Sequence, residues 1–130
     1  TVKGSWTVTD VRISGTNGKF KAKVFGEADY SCFIGSQWNF NTSTSIGTYS
    51  LGTGAACSVI TRKIRWSIYE IKGEPKQLQF KRLNEKEKDI DDGNGYRLTI
   101  NSISQNNMEV QSELIFEGKP IQIIYNFSKN

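Results

Sequence analysis

The chain has 130 residues, a formal net charge of +4 from 17 basic and 13 acidic side chains, and no histidine. The missing histidine excludes Ser-His-Asp and Cys-His catalysis, histidine-ligated zinc and histidine-ligated haem, and two cysteines give poor support to a mixed thiolate–carboxylate metal site. A hydrophobic fraction of 36% and an aromatic fraction of 12% describe a globular chain, and apolar runs such as Leu114-Ile115-Phe116 are too short for a membrane-spanning helix or a signal-peptide core.

Alternation with a period of two dominates and predicts half-buried antiparallel strands. The first strand, about 4–13, sets Trp6 and Val8 on one face, then shifts phase to Val11 and Ile13, as a bulge requires. Residues 19–30 are predicted to hold a short helix interrupted by Gly26. Strands follow at about 36–42, with Trp38 and Phe40 inward, and at 46–52, with Tyr49 and Leu51 inward. Ile64, Trp66 and Ile68 mark a strand at 61–71, and a turn at Lys72-Gly73-Glu74-Pro75 leads to Leu78 and Phe80 in 76–83. Tyr96, Leu98 and Ile100 mark 95–104, Met108, Val110, Leu114 and Phe116 mark 108–116, and Ile121, Ile123, Tyr125 and Phe127 mark 120–127. A two-residue Gly118-Lys119 turn between the last two strands predicts Phe116 opposite Ile121, Leu114 opposite Ile123, and Ser112 opposite Tyr125.

These eight strands are joined mostly by short hairpins, with longer connections at 14–35, 53–60 and 84–94. They describe an all-β, eight-stranded antiparallel up-and-down β-barrel as a single domain over 1–130, a closure that removes exposed sheet edges. A two-sheet sandwich is the alternative. The charge is uneven: residues 1–83 hold 12 basic and 5 acidic side chains, a net +7, and residues 84–130 hold 5 and 8, a net −3. That asymmetry bears on the approach of partners, and it is too thin for a dedicated nucleic-acid binder.

Cys32 and Cys57 are the compartment signal. Joined, they close a loop of about 25 residues, worth roughly 3–4 kcal/mol in chain entropy, and point to export. Unjoined, they are two buried thiols of a cytosolic protein. The opening Thr1 in place of Met points to a processed form, with any export signal upstream.

Gly4-Ser5-Trp6 opens the first of eight up-and-down strands, and in this it resembles the lipocalins, where the tryptophan packs across the closed end of the barrel. The chain is most similar in kind to the lipocalin-like domains of Bacteroidetes cell-envelope lipoproteins. The likeness is carried by Gly4-Ser5-Trp6, Cys32-Phe33-Ile34-Gly35-Ser36-Gln37-Trp38-Asn39-Phe40, Gly47-Thr48-Tyr49, Cys57, Trp66 and Tyr125-Asn126-Phe127. It implies an exported domain of the periplasm, outer membrane or cell surface of a bacterium, with a disulfide and often a lipid anchor upstream. Lipocalins also carry a helix after the last strand and an arginine that packs on the Gly-x-Trp tryptophan; here only Ser128, Lys129 and Asn130 follow.

The candidate ligand site is the barrel interior, where Trp38, Phe40, Tyr49, Trp66, Phe80, Tyr96, Ser112 and Tyr125 offer an aromatic lining with a few hydroxyls. The competing reading is a barrel filled by those same side chains. Lys63, Arg65 and Lys81 are placed outside, and Trp66 facing Phe80 would set Arg65 beside Lys81, a like-charge pair that suits an anionic partner or simply solvent. Asp89, Asp91, Asp92 and Asn94 are oxygen donors of the kind calcium takes, but without EF-hand spacing a plain loop is expected. Lys19, Lys21 and Lys23 alternate around Phe20 and Ala22 and, with Phe25, offer a face for a membrane surface, but a solvated lid over one barrel end is the expected reading. No serine elbow, phosphate-cradling glycine loop or opposed carboxylate pair is present.

The expectation is therefore an exported, monomeric, lipocalin-like protein that is not an enzyme and uses no cofactor and no metal. It would bind a small apolar or amphipathic ligand in the barrel. The alternative is a cell-envelope interaction or inhibitor module using the rim loops around a filled barrel.

Overall fold

The computed structural model describes residues 2–15, 21–52, 54 and 57–130. Eight strands close one antiparallel barrel: β1 (Gly4–Ser14), β4 (Gln37–Phe40), β5 (Ile46–Leu51), β6 (Ile60–Tyr69), β7 (Gln77–Leu83), β8 (Tyr96–Ile103), β9 (Asn107–Phe116) and β10 (Lys119–Lys129). Each pairs with its neighbour in sequence, and β10 closes on β1, so the topology is up-and-down. Between β1 and β4 lie two short strands, β2 (Lys23–Val24) and β3 (Ala28–Asp29), and one 3-10 turn, Tyr30–Phe33.

Alternation is the cause of closure. Apolar residues at every second position turn inward, and Trp6, Val8, Trp38, Tyr49, Ile64, Phe80, Leu98, Val110, Ile123, Tyr125 and Phe127 are buried in one continuous core. The phase shift in β1 is a bulge: Val8 faces Phe127 and Asp10 faces Asn126, leaving Thr9 as the extra residue.

Alternate connections of an up-and-down barrel share an end. The segments between β1 and β4, β5 and β6, and β7 and β8 therefore gather at one mouth, with the β9–β10 turn. The other end carries both termini and the short turns. Cys32 and Cys57 are joined in a disulfide that ties the 3-10 turn to the β5–β6 connection at the long-loop mouth.

Two expectations are corrected. No α-helix lies within the described part of 19–30; Lys23–Val24 and Ala28–Asp29 pair instead, around a turn where Phe25 and Gly26 both take positive φ, 54° and 63°. Gly26 favours that left-handed bend and disfavours a helix interior. The last hairpin turns at Glu117-Gly118 rather than Gly118-Lys119. Phe116 faces Lys119, Leu114 faces Ile121, Ser112 faces Ile123, and Val110 faces Tyr125. The pairing moves by two residues, which keeps every side chain on its predicted face.

Candidate functional site

The predicted interior residues do converge. Trp38 is the hub: its ring lies 4.8 Å from Tyr49, 5.7 Å from Phe80 and 5.9 Å from Phe40. Phe40 in turn meets Trp66 at 5.2 Å, and Phe80 meets Tyr96 at 5.4 Å. Trp38, Phe40, Tyr49, Trp66, Phe80 and Tyr125 are buried, while Tyr96 and Ser112 are half-buried. Ser112 and Tyr125 share a hydroxyl contact of 3.4 Å, reached diagonally because the two are not direct cross-strand partners.

The residue that unites this set is Phe25, which the sequence groups with the exposed lysines and the structure instead buries. The β2–β3 turn carries it into the barrel mouth, where its ring meets Phe33, Trp38, Phe80, Tyr96 and Tyr125 at centroid separations of 5.1 to 6.4 Å. Phe25 is 6% exposed, so it sits among the barrel's own rings rather than over them. An aromatic directly before Gly26 was its available signal.

A charged clamp holds that plug. Tyr49 Oη donates to Glu27 Oε1 at 2.6 Å, Arg62 reaches both carboxylate oxygens at 2.8 and 3.0 Å, and Arg82 Nη1 lies 3.3 Å from Oε1. Arg82 also forks onto Asp91 at 2.7 and 2.8 Å and donates to the Gly26 carbonyl at 3.1 Å. A Cβ at Gly26, whose φ is 63°, would lie 2.9 Å from Tyr96 Oη and 3.0 Å from Arg82 Nη2, so a side chain there would press on the clamp.

The electrostatics follow from this geometry. Burial pushes the Glu27 carboxyl up, but hydrogen bonds from Arg62 and Tyr49 and the charges of Arg62 and Arg82 outweigh it and hold the group below its ordinary value. The Arg82 hydrogen bonds hold Asp91 low. Burial, reinforced by the bond to Glu27, pushes the Tyr49 phenol well up, and burial does the same to Tyr125. The phenols are thus neutral hydrogen-bonding groups and the clamp is fully ionised at neutral pH. That arrangement suits holding a loop; it contains no nucleophile–base pair.

At the opposite end, Trp6 is fully buried, donates from Nε1 to the Val2 carbonyl at 2.7 Å, and meets Phe127 edge-on at 6.4 Å. Lys129 Nζ lies 4.7 Å over the Trp6 ring and donates to the Lys3 carbonyl. A cation thus covers the Gly-x-Trp tryptophan. Gly4 takes a φ of 111°, and a Cβ there would press on the Lys129 side chain at 3.0 Å.

The remaining sequence candidates separate. Asp91 is committed to Arg82, and among the described residues no cluster of three metal-ligating side chains is assembled. Lys19 and Phe20 lie outside the described residues, while Lys21 and Lys23 are exposed. Arg65 and Lys81 are direct cross-strand partners, as Trp66 and Phe80 are.

No family model, no curated protein and no solved structure matches this chain.

Proposed function

We propose that this chain is an exported, lipocalin-like binding module without catalytic activity, in which the barrel is a filled scaffold and partners are met at the rim and on the outer wall. The observation that carries this reading is the Phe25 ring packed among Phe33, Trp38, Phe80, Tyr96 and Tyr125 and secured through Glu27. Eight-stranded barrels lie at the width where side chains alone fill the interior. An apolar ligand would have to displace Phe25 and break the ionic clamp beside it. The Cys32–Cys57 disulfide supports an oxidising, extracytoplasmic setting. The Trp6–Lys129 contact at the closed end supports the lipocalin likeness.

Titration with a fluorescent fatty acid, read through tryptophan emission from Trp38, tests this reading. The expected result is no saturable binding to the native chain and uptake only by Phe25→Ala, whose side chain no longer fills the mouth. One-to-one quenching of the native protein would overturn it and place an apolar ligand inside the barrel.

A further inference from the structure

The outer wall of β6, β7 and β8 carries a half-open groove of about 880 Å³. Its place follows from where strands stop. β5 accompanies β6 only to the Ile46–Arg65 pair, and β8 accompanies β7 only to the Tyr96–Phe80 pair, so each central strand loses one neighbour at this level. Trp66 and Phe80 send their side chains into the core, leaving strand backbone as the floor. Ser45, Ser67, Gly93 and Gly95 keep the space open. A Cβ on Gly95 would stand 3.2 Å from the Phe80 carbonyl oxygen and 3.4 Å from Lys81 Cγ.

The charges in this groove are unbalanced. Arg65, Lys81 and Arg97 line it against one carboxylate, Asp89. Arg65 and Lys81 are directly opposed across β6 and β7, and among the described residues neither forms an ion pair or a side-chain hydrogen bond. Opposed like charges cost stability. Lys63, on the same strand, is instead answered by Glu87 at 3.7 Å and the Glu85 carbonyl at 3.2 Å. Arg97 is oriented: Nε donates to Gln79 Oε1 at 3.1 Å, the guanidinium lies 4.7 Å over the Tyr69 ring, and Gln79 Nε2 donates to Ser67 Oγ at 3.1 Å. Its two terminal nitrogens have no partner among the described residues. Asp89 spends Oδ1 on the Asp91 amide at 2.8 Å, with Oδ2 left to accept.

We propose that this groove is a binding site for a phosphate-bearing, hydroxyl-rich small molecule of the sugar- or polyol-phosphate class. Two guanidinium forks and an ammonium match phosphate oxygens in charge and geometry. Asp89 and the Ser45 and Ser67 hydroxyls match the hydroxyls of such a ligand. The volume falls in the range of small-molecule sites and exceeds what a bare phosphate needs. The ligand also relieves the Arg65–Lys81 repulsion, which gives that pair a role. The site goes beyond the scaffold reading and is independent of whether the interior admits an apolar ligand, so the fatty-acid titration and the following experiment fail separately.

The test is calorimetric titration of the full chain with glucose 6-phosphate, with glucose, inorganic phosphate and phosphatidylglycerol vesicles as comparison arms. The expected result is saturable one-to-one binding of glucose 6-phosphate that weakens with added salt, weaker binding of phosphate, and none of glucose. The double variant Arg65→Gln/Lys81→Gln is expected to bind at least about tenfold more weakly, while the charge-matched Lys3→Gln/Lys119→Gln keeps native affinity. The first variant is also expected to unfold at the native denaturant concentration or above it, because its opposed charges are gone; loss of binding then cannot be loss of fold. Absence of saturable glucose 6-phosphate binding, equal weakening in both variants, or binding to vesicles alone would each overturn the proposal.

Discussion

Glu27 and Arg62 join the β1–β4 connection to the barrel wall through a two-pronged ion pair, Nε to Oε1 at 2.8 Å and Nη2 to Oε2 at 3.0 Å. The Glu27 side chain is 5% exposed and that of Arg62 25%. Removing the carboxylate strands Arg62 and deprives Arg82 of one of its two acidic partners. Glu27→Gln is expected to cost about 2–4 kcal/mol in urea unfolding, below the most severe buried-pair losses because Arg62 keeps some solvent.

The two carboxylates of the clamp set the acid limit. Glu27 and Asp91 both have folded pKa values below their ordinary 4.5 and 3.8. A carboxylate with a depressed folded pKa contributes stability that is fully present above its unfolded value and disappears as pH falls through the folded one. Stability is therefore expected to be flat in this respect above about pH 5 and to drop on further acidification. Glu27→Gln should show a shallower acid decline, with the Asp91 part retained. Urea midpoints at stepped pH check this; an unchanged slope in the variant would remove Glu27 from the account.

Phe25 holds a positive φ of 54° with a bulky side chain, so packing opposes backbone preference at one residue. Phe25→Ala is expected to lose about 3–4 kcal/mol by emptying the mouth. Phe25→Gly removes the same ring and more, yet it relieves the backbone. Its stability is therefore expected to equal or exceed that of the alanine variant, the reverse of the usual order for the two residues. Chemical unfolding of both variants decides the matter.

A Cβ on Gly47 would lie 2.1 Å from the Asn39 carbonyl oxygen, a backbone atom of the paired strand that has nowhere to go. Gly47→Ala is expected to lose more than about 3 kcal/mol or to fail to fold. Gly73 is the contrast: it has a φ of 85° and open space where a Cβ would stand. Gly73→Ala is expected to cost only about 1 kcal/mol, the backbone term alone. Expression and thermal unfolding of the two variants separate crowding from conformational strain.

The barrel was legible because its cause is local. Alternation reports which way each side chain points, and eight such runs with short turns allow little besides a closed meander. The bulge at Thr9 was legible for the same reason, as a break in phase between Val8 and Val11. Phe25 was not, since nothing periodic marks a loop residue that folds back into a mouth. The Glu27 clamp was hidden because Glu27 lies far along the chain from Arg62 and Arg82, and sequence order carries no sign of their meeting. Arg65 beside Lys81 was readable from strand pairing, but the groove around them depends on where β5 and β8 begin.

The β9–β10 turn shows what a sequence pattern leaves undecided and how one substitution settles it. Two registers, differing by two residues, put the same side chains inward, so burial cannot choose between them. The observed turn uses Glu117 and Gly118, with φ of 51° and 77°. Positive φ at both central residues is the signature of a type I′ turn, which matches the twist of the flanking strands. Glutamate at the first of these positions is strained, whereas asparagine tolerates it, and Asn-Gly is the preferred pair. Glu117→Asn is therefore expected to stabilise the chain by about 0.5–1 kcal/mol, seen as a rise of about 2–4 °C in thermal midpoint. Were the turn at Gly118-Lys119, residue 117 would lie in the strand, and asparagine there would be neutral or harmful. A lower midpoint would restore the alternative register; a higher one, with cross-strand amide contacts between Phe116 and Lys119 by nuclear magnetic resonance, fixes the observed pairing.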